Sequence, residues 1–195
     1  LSSIENVVGS EQDDVIFGDS QQNTLIGGAG NDVINAGDGD DLIFGGAGND
    51  TIAFSGILSG GVVNAGAGAD SMTFSAGSTG SSIVAGAGND SIYFSGDDAL
   101  GTTTYYFGKT DGKDTLSFGV LTGSSNLVIA VDAAYGATSG IQYSGDLDAG
   151  TGTSGTITFN NAESGVATGT LFLNNVTGSS EAAGAGVSYI YFVTV

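Results

Sequence analysis

Gly27-Gly28-Ala29-Gly30-Asn31-Asp32-Val33-Ile34-Asn35 is followed without a break by two more copies of the same nine-residue pattern, at 36–44 and 45–53. Each copy reads small-Gly-x-Gly-x-Asp-x-apolar-x. A turn followed by so short a strand cannot bury its own apolar residue, so the copies must stack on one another. Stacking places the Asp side chains in a row, and closely spaced carboxylates repel one another unless cations lie between them.

The Asp of this pattern recurs along the first 118 residues of the chain. The sixth position of successive units is occupied by Asp14, Asn23, Asp32, Asp41, Asp50, Asp70, Asp90 and Asp114. The spacing is nine residues up to Asp50 and then 20, 20 and 24 residues. We interpret each 20-residue unit as one full coil, in which one turn keeps its Asp and uncharged residues at 56–61 and 76–80 replace the other turn.

Two short strands per coil predict an all-β, parallel β-roll (a β-solenoid). Because side chains of a strand alternate between its two faces, the eighth position of every unit should point inward. This position holds Ile16, Leu25, Ile34, Ile43, Ile52, Met72, Ile92 and Leu116. In the longer coils the residue two further along should also point inward, and it is Phe54, Phe74, Phe94 and Phe118. The core is therefore expected to widen along the roll.

Alternate turns of such a roll lie on opposite edges. The edge that we call the long edge then carries Asp14, Asp32, Asp50, Asp70, Asp90 and Asp114. The opposite, short edge carries only Asn23 and Asp41. We expect these side chains to bind metal, although Lys109 and Lys113 would compete for the carboxylate of Asp114.

The ligands that the turns offer are all oxygen atoms, since the chain has no His and no Cys. Hard cations prefer such ligands, and Ca2+ tolerates irregular backbone cages better than Mg2+ does. Glycine allows the turn to adopt positive φ and to direct its carbonyl groups toward the ion. We therefore predict several Ca2+ ions bound with the help of the turn backbone at Gly28, Gly30, Gly37, Gly39, Gly46, Gly48, Gly66, Gly68, Gly86 and Gly88.

These units resemble the RTX (repeats-in-toxin) nonapeptide, Gly-Gly-x-Gly-x-Asp-x-apolar-x. Units 27–35 and 45–53 match it at every defined position, 36–44 lacks only the first Gly, and 9–17 and 18–26 are degenerate copies. The resemblance is close over 9–53 and looser over 54–118. It implies a right-handed β-roll with Ca2+ between successive turns, export by type I secretion, and folding that extracellular calcium triggers.

Composition restricts the partners and the chemistry of the chain. The net charge is −19, which excludes nucleic acid as a partner and disfavours anionic membranes. No apolar run is long enough for a membrane helix, so we expect no membrane insertion. Without His there is no Ser-His-Asp or Cys-His arrangement, and only two lysines are available as bases. We therefore predict no catalytic residues and no enzymatic activity.

The repeat stops after Phe118, so we divide the chain into a calcium-binding roll at 1–118 and a β-rich C-terminal cap at 119–195. Strands are predicted at Leu127–Asp132, Ile141–Tyr143, Thr156–Asn160, Thr170–Val176 and Val187–Val195. They form either an all-β cap or a continued, metal-free solenoid. The last strand would cover the final coil or pair with a neighbouring molecule, and the resemblance adds a possible secretion signal in this region.

Three functions are compatible with these observations. The first is a structural, calcium-binding module of a secreted cell-surface protein that self-associates in a surface layer, filament or matrix. The second is the C-terminal folding and secretion domain of a type I-secreted enzyme or toxin. The third is an adhesin, including an ice-binding one, but the outward Thr row expected for ice binding is missing. The chain starts without Met, and we expect it to be part of a longer protein.

Overall fold

The computed structural model describes residues 5–95, 102–108, 111–118, 126–131, 141–145, 153–160, 167–176 and 189–194. All regular structure in these segments is β. In chain order the strands are β1 (Asn6–Val8), β2 (Val15–Phe17), β3 (Thr24–Ala29), β4 (Val33–Asn35), β5 (Leu42–Ala47), β6 (Thr51–Phe54), β7 (Leu58–Ser59), β8 (Val62–Ala67), β9 (Ser71–Phe74), β10 (Ser78–Thr79), β11 (Ser82–Ala87), β12 (Ser91–Phe94), β13 (Thr102–Phe107), β14 (Lys113–Phe118), β15 (Asn126–Val131), β16 (Ile141–Gly145), β17 (Thr153–Asn160), β18 (Ala167–Val176) and β19 (Tyr189–Thr194).

The chain winds back and forth between two sheets, so that successive strands of one sheet come from successive coils. Sheet one has the order β1-β3-β5-β8-β11-β13-β15-β19, and sheet two has the order β16-β17-β18-β14-β12-β9-β6-β4-β2. Neighbouring strands of the repeat region are parallel in both sheets. The predicted all-β, parallel β-roll is therefore confirmed.

Strand register confirms the predicted length of each coil. Val15 lies opposite Val33 in sheet two, which is an 18-residue coil made of two nonapeptides. Thr51 then lies opposite Ser71, so a 20-residue unit is one full coil. Ser91 lies opposite Thr115, so this coil is 24 residues long, and β12 and β14 still pair with equivalent repeat positions opposite each other.

The core lies between the two sheets and is built by stacking equivalent side chains. Every aliphatic residue predicted at the eighth position is buried. From the third coil onward three phenylalanines extend the core: the Phe54 and Phe74 ring centroids are 4.7 Å apart, and those of Phe74 and Phe94 are 4.8 Å apart. The strand that carries Phe118 continues this register, although the Phe118 side chain lies outside the described residues.

The uncharged turns at 56–61 and 76–80 form a small structure of their own. Strands β7 and β10 pair in parallel and extend the short edge as a two-stranded sheet. Leu58 is fully buried there, and the hydroxyl group of Ser81 donates a hydrogen bond to the Leu58 carbonyl oxygen at 3.0 Å. In the next coil the hydroxyl group of Thr103 donates to the Ser78 carbonyl oxygen at 2.8 Å. Apolar burial and hydroxyl groups thus replace the second Asp turn.

The C-terminal strands extend both sheets but leave the simple coil pattern. Strands β15 and β19 join sheet one in parallel, while β16, β17 and β18 form an antiparallel meander. Only β18 of this meander pairs with the roll, in parallel with β14. All five predicted strands exist, with residues 132, 187–188 and 195 of their predicted ends outside the described residues. The domain boundary at 118 stays a prediction.

Replacing Phe74 by Ala should remove the central ring of the phenylalanine stack and lower the free energy of unfolding by about 3–5 kcal/mol. The matched control is Tyr93→Ala on β12, because Tyr93 is 42% exposed. We expect that control to cost less than about 1 kcal/mol. Urea unfolding at saturating calcium measures both, and equal effects would contradict the assigned core.

Candidate metal centre on the long edge

Each long-edge turn leads from a strand of sheet one to a strand of sheet two. In the first five of these turns the Asp is the last residue before the second strand, as Asp32 is before β4 and Asp50 is before β6, whereas Asp114 lies within β14. The turn folds back over the end of the core, so these side chains are enclosed although they belong to a loop. Five of them are at most 2% exposed: Asp32, Asp50, Asp70, Asp90 and Asp114.

One oxygen of each buried carboxylate accepts a hydrogen bond from a backbone N–H of the preceding coil. Asp32 accepts a hydrogen bond at Oδ1 from the backbone N–H of Asp14 at 2.8 Å, and Asp50 accepts one from Asp32 at 2.8 Å. The same bond links Asp70 to Asp50 at 2.7 Å and Asp90 to Asp70 at 2.8 Å. The predicted row of carboxylates therefore exists as a continuous ladder, with one rung for each coil.

The second carboxylate oxygen of these rungs has no partner. Among the described residues, buried Oδ2 atoms without a hydrogen bond belong to Asp32, Asp41, Asp50, Asp70 and Asp90. A buried polar atom is normally paired, because an unpaired one costs about 1–3 kcal/mol and a charged one costs more. A row of such atoms at equivalent positions indicates that a ligand completes them.

Backbone carbonyl oxygens converge on the same unpaired atoms. A Cβ added to Gly27 would meet both Oδ2 of Asp32 and the carbonyl oxygen of Gly45 in the next coil. A Cβ on Gly45 would likewise meet Oδ2 of Asp50 and the carbonyl oxygen of Ala65. At Asp32 and Asp50 the glycine in the first position of the repeat thus leaves a narrow space that carboxylate and carbonyl oxygens of successive coils share, whereas Ala65 and Ala85 occupy this position in the units of Asp70 and Asp90.

The glycines at the second and fourth positions make this turn possible. Gly28 has φ = 120° and Gly30 has φ = 117°, which are backbone conformations that other residues rarely adopt. The equivalent predicted turn glycines Gly37, Gly39, Gly46, Gly48, Gly66, Gly68, Gly86 and Gly88 also have positive φ. Their role as backbone ligands stays a prediction.

The donor set fits Ca2+. Anionic Oδ2 atoms and backbone carbonyl oxygens are the ligands of hard cations, and Ca2+ accepts six to eight of them in variable geometry. In the described part of the chain no three His, Cys, Asp or Glu side chains come together as a metal cluster. The turns instead bring one carboxylate from each coil close to backbone carbonyl oxygens, as at Asp32 and Asp50.

Without a bound cation, the burial of these carboxylates opposes their ionisation. Burial raises the pKa of Asp70 to about 6, the N–H of Asp50 opposes that shift, and the charges of Asp90 and Asp50 add to it. Burial also raises the pKa of Asp50 and of Asp90. A cation at Oδ2 would remove both causes, because it replaces water and neutralises the neighbouring charge.

The short edge has one buried carboxylate of the same kind. Asp41 accepts at Oδ1 from the N–H of Asn23 at 2.9 Å, and its Oδ2 is unpaired within the described residues. Burial, together with the charges of Asp19, Asp40 and Asp38, raises the pKa of Asp41 to about 6. Asn23 itself accepts at Oδ1 from the N–H of Asp19 at 2.8 Å.

The two ends of the long edge differ from its middle. At the first rung, Oδ2 of Asp14 accepts hydrogen bonds from the N–H of Ser10 at 2.6 Å and from its hydroxyl group at 2.8 Å. At the last rung, Oδ2 of Asp114 accepts from the Tyr105 hydroxyl group at 2.6 Å. The structure therefore brings all six predicted long-edge residues into one row, but in only four of them is Oδ2 unpaired.

A second column of side chains, which the sequence analysis missed, runs beside the Asp ladder at the fifth position of the repeat. Asn31 donates its N–H to Oδ1 of Asp13 at 2.7 Å, and Asn49 donates to Oδ1 of Asn31 at 2.8 Å. The N–H of Ala69 donates in the same way to Oδ1 of Asn49 at 2.7 Å. Ala69 has no side-chain acceptor, so the column is interrupted there and resumes where the N–H of Lys113 donates to Oδ1 of Asn89 at 3.0 Å. The recurrence of Asn or Asp just before the sixth-position Asp of the repeat is the signal that could have revealed it.

Comparison with known proteins agrees with this geometry. The sequence profile of the RTX calcium-binding nonapeptide repeat, which represents four copies, matches residues 2–22, 17–52 and 77–99. The chain therefore carries RTX repeats in these segments. No curated protein sequence matches the chain.

A search of solved structures gives a distant likeness to the crystal structure of the extracellular lipase LipA from Serratia marcescens. The TM-score is 0.37 at 15% sequence identity, over 88% of this chain and 38% of the lipase chain. The chain thus spans well under half the length of that protein, and so distant a likeness supports no statement about activity.

Replacing Asp50 by Asn should keep the Oδ1 acceptor but remove the anionic Oδ2 from the middle of the ladder. We expect the calcium concentration at the folding midpoint to rise about tenfold or more, since ligand charge sets the affinity of such sites. Glu11→Gln removes the same charge from an exposed position and is the matched control. Calcium titration followed by circular dichroism measures both midpoints, and equal midpoints would contradict the ladder.

The raised pKa values predict how the stability of the calcium-free protein depends on pH. The folded carboxyl groups of Asp41 and Asp70 keep their protons up to about pH 6, whereas those of the unfolded chain lose them near pH 4. The folded state then binds more protons in this window, so its stability falls as pH rises through 6. In a chelator, circular dichroism should show more folded protein at pH 5 than at pH 7.5. The opposite order would contradict the assigned burial.

Proposed function

We propose that this RTX repeat protein is a non-catalytic, calcium-dependent structural module of a secreted cell-surface protein. Ca2+ between stacked coils completes the fold and promotes assembly into a surface layer, filament or matrix. The observation that carries this proposal is the row of buried, unpaired Oδ2 atoms on Asp32, Asp50, Asp70 and Asp90.

Charge supports a role for calcium in folding. The chain carries 21 acidic residues against two lysines, and the ladder concentrates part of this excess along one buried line. Such self-repulsion opposes the compact state until cations neutralise it. Ca2+ that binds only the folded roll stabilises it by mass action, so folding depends on the calcium around the protein.

The proposed location rests on the repeat. RTX proteins typically leave the cell by type I secretion, and a fold that requires Ca2+ then forms outside the cell. No helix in the described segments has the length and apolar character needed to cross a membrane.

Exposed apolar groups on the first coil support self-association. Val8 on β1 is 71% exposed, and Val15 and Phe17 on β2 are 65% and 69% exposed. These two strands come first in the described part of the two sheets, and their edges can pair with further strands, either of a second copy or of a longer form of this chain. Calcium would favour such contacts by lowering the negative charge of both partners.

Calcium dependence is tested on the whole chain by chelation. Removal of Ca2+ with EGTA at pH 7.5 should abolish most of the β circular dichroism, because the ladder carboxylates then repel one another in a dry site. Added Ca2+ should restore the signal, whereas Mg2+ at the same concentration should not. A circular dichroism spectrum and a melting temperature that EGTA leaves unchanged would overturn the proposal.

Assembly is tested on the same samples by sedimentation velocity and electron microscopy. The calcium-loaded chain should form species larger than the monomer, and chelation should reverse this. A calcium-loaded, folded monomer at all concentrations would contradict the assembly role. That result would instead favour the alternative of a folding and secretion domain of a type I-secreted enzyme, toxin or adhesin.

A further inference from the structure

Asp114 is the last carboxylate of the ladder, and it is bound on both sides by protein. Its Oδ1 accepts from the N–H of Asp90 at 3.1 Å, as the other rungs accept from the coil before them. Its Oδ2, which is unpaired in the four preceding rungs, accepts from the Tyr105 hydroxyl group at 2.6 Å. Both side chains are fully buried.

The register of sheet one explains why a tyrosine reaches this carboxylate. Tyr105 on β13 lies opposite Ile83 on β11 and Ile129 on β15, so it occupies the inward row of the sheet. In earlier coils this row is aliphatic, with Leu25, Ile43 and Val63. The longer tyrosine ring fills the same column, and its hydroxyl group extends beyond the aliphatic length to the turn that carries Asp114.

The turn that bears Asp114 departs from the repeat in sequence, although Gly112 keeps a glycine at positive φ in the fourth position. It reads Gly108-Lys109-Thr110-Asp111-Gly112-Lys113-Asp114 in place of the repeat. The bonds between coils nevertheless persist, since Lys113 donates its N–H to Asn89 and Asp90 donates to Asp114. What changes at this rung is therefore the partner of Oδ2 and not the stacking of the coils.

The first rung shows the same replacement by a different residue. Ser10 donates both its N–H and its hydroxyl group to Oδ2 of Asp14. Ser10 stands at the second position of its unit, where the middle coils have a glycine at positive φ, such as Gly28. Protein donors thus satisfy Oδ2 at both ends of the row.

We propose that Tyr105 ends the ion-binding face of the long edge: its hydroxyl group takes the place of a cation at Asp114. Ca2+ then binds at Asp32, Asp50, Asp70 and Asp90, and the roll closes on a rung that needs no metal. This inference rests on the proposed calcium-dependent function and narrows the sequence-based prediction that Asp114 is a ligand. A neutral donor is suited to this role because it satisfies Oδ2 at any calcium concentration.

The test is to count the calcium ions bound to the whole chain by native mass spectrometry in wild type, Asp114→Asn and Asp50→Asn. An amide at 114 keeps the acceptor for Asp90, and its NH2 group can donate to the Tyr105 oxygen. We expect Asp114→Asn to bind as many ions as wild type, with a calcium midpoint within about twofold. Asp50→Asn should lose at least one ion.

A second pair of variants decides the question if Asp114→Asn does not fold. Tyr105→Phe removes only the hydroxyl group, and Tyr106→Phe, the half-buried neighbour on β13, is the matched control. With calcium present, Tyr105→Phe should melt at least about 3 °C below the control, since a buried carboxylate loses its donor. Its ion count should stay the same or rise by one, because the hydroxyl group no longer excludes a cation.

The outcomes separate this inference from the proposed function. A wild-type chain that binds no calcium would overturn both. A wild-type chain that binds calcium, with an Asp114→Asn variant that loses an ion as Asp50→Asn does, would overturn the role of Tyr105 alone. A Tyr105→Phe variant that melts with the Tyr106→Phe control, or that loses an ion, would do the same.

Discussion

Four long-edge turns each bury a carboxylate of which one oxygen is hydrogen-bonded and the other is unpaired, and the roll depends on how that second oxygen is satisfied. Carboxylates one strand spacing apart, about 4.8 Å, repel one another by roughly 3–4 kcal/mol at the effective dielectric of a protein surface. Repeated along Asp32, Asp50, Asp70 and Asp90, this repulsion opposes folding. The same geometry gives a cation several oxygen ligands. The carboxylates therefore oppose folding when no cation is bound and stabilise the fold when one is.

The hydrogen bonds of the long edge join each coil to its neighbours in both directions. In the Asp ladder the earlier coil donates to the later one, as Asp32 does to Asp50. In the outer column the later coil donates to the earlier one, as Asn49 does to Asn31. A single coil therefore satisfies neither its donors nor its acceptors. Stability that comes from neighbours in this way favours cooperative formation of the whole stack.

The means of stabilisation change along the roll. The first coils have a narrow aliphatic core and carboxylates on both edges, including Asp41 on the short edge. Beyond residue 54 the stacked phenylalanines and the buried hydroxyl groups of Ser81 and Thr103 take over the short edge. At the last rung of the long edge the Tyr105 hydroxyl group donates to Oδ2 of Asp114, so that oxygen is paired by protein. The end of the roll next to the C-terminal strands is thus stabilised by packed rings and hydrogen bonds within the protein.

Much of this architecture follows from the sequence alone. A nine-residue period with one Asp and one inward apolar residue determines parallel stacking, the sixth-position row and the aliphatic and phenylalanine columns, because period and side-chain parity are local properties. Only the tertiary structure decided the partners of each second oxygen. Tyr105 and the outer column starting at Asp13 approach their partners by strand register and side-chain length. These contacts join different coils or residues nine positions apart, whereas Ser10 lies four residues from Asp14 in its own turn. The sequence therefore determined where carboxylates lie, and the fold determined which of them are left to bind a cation.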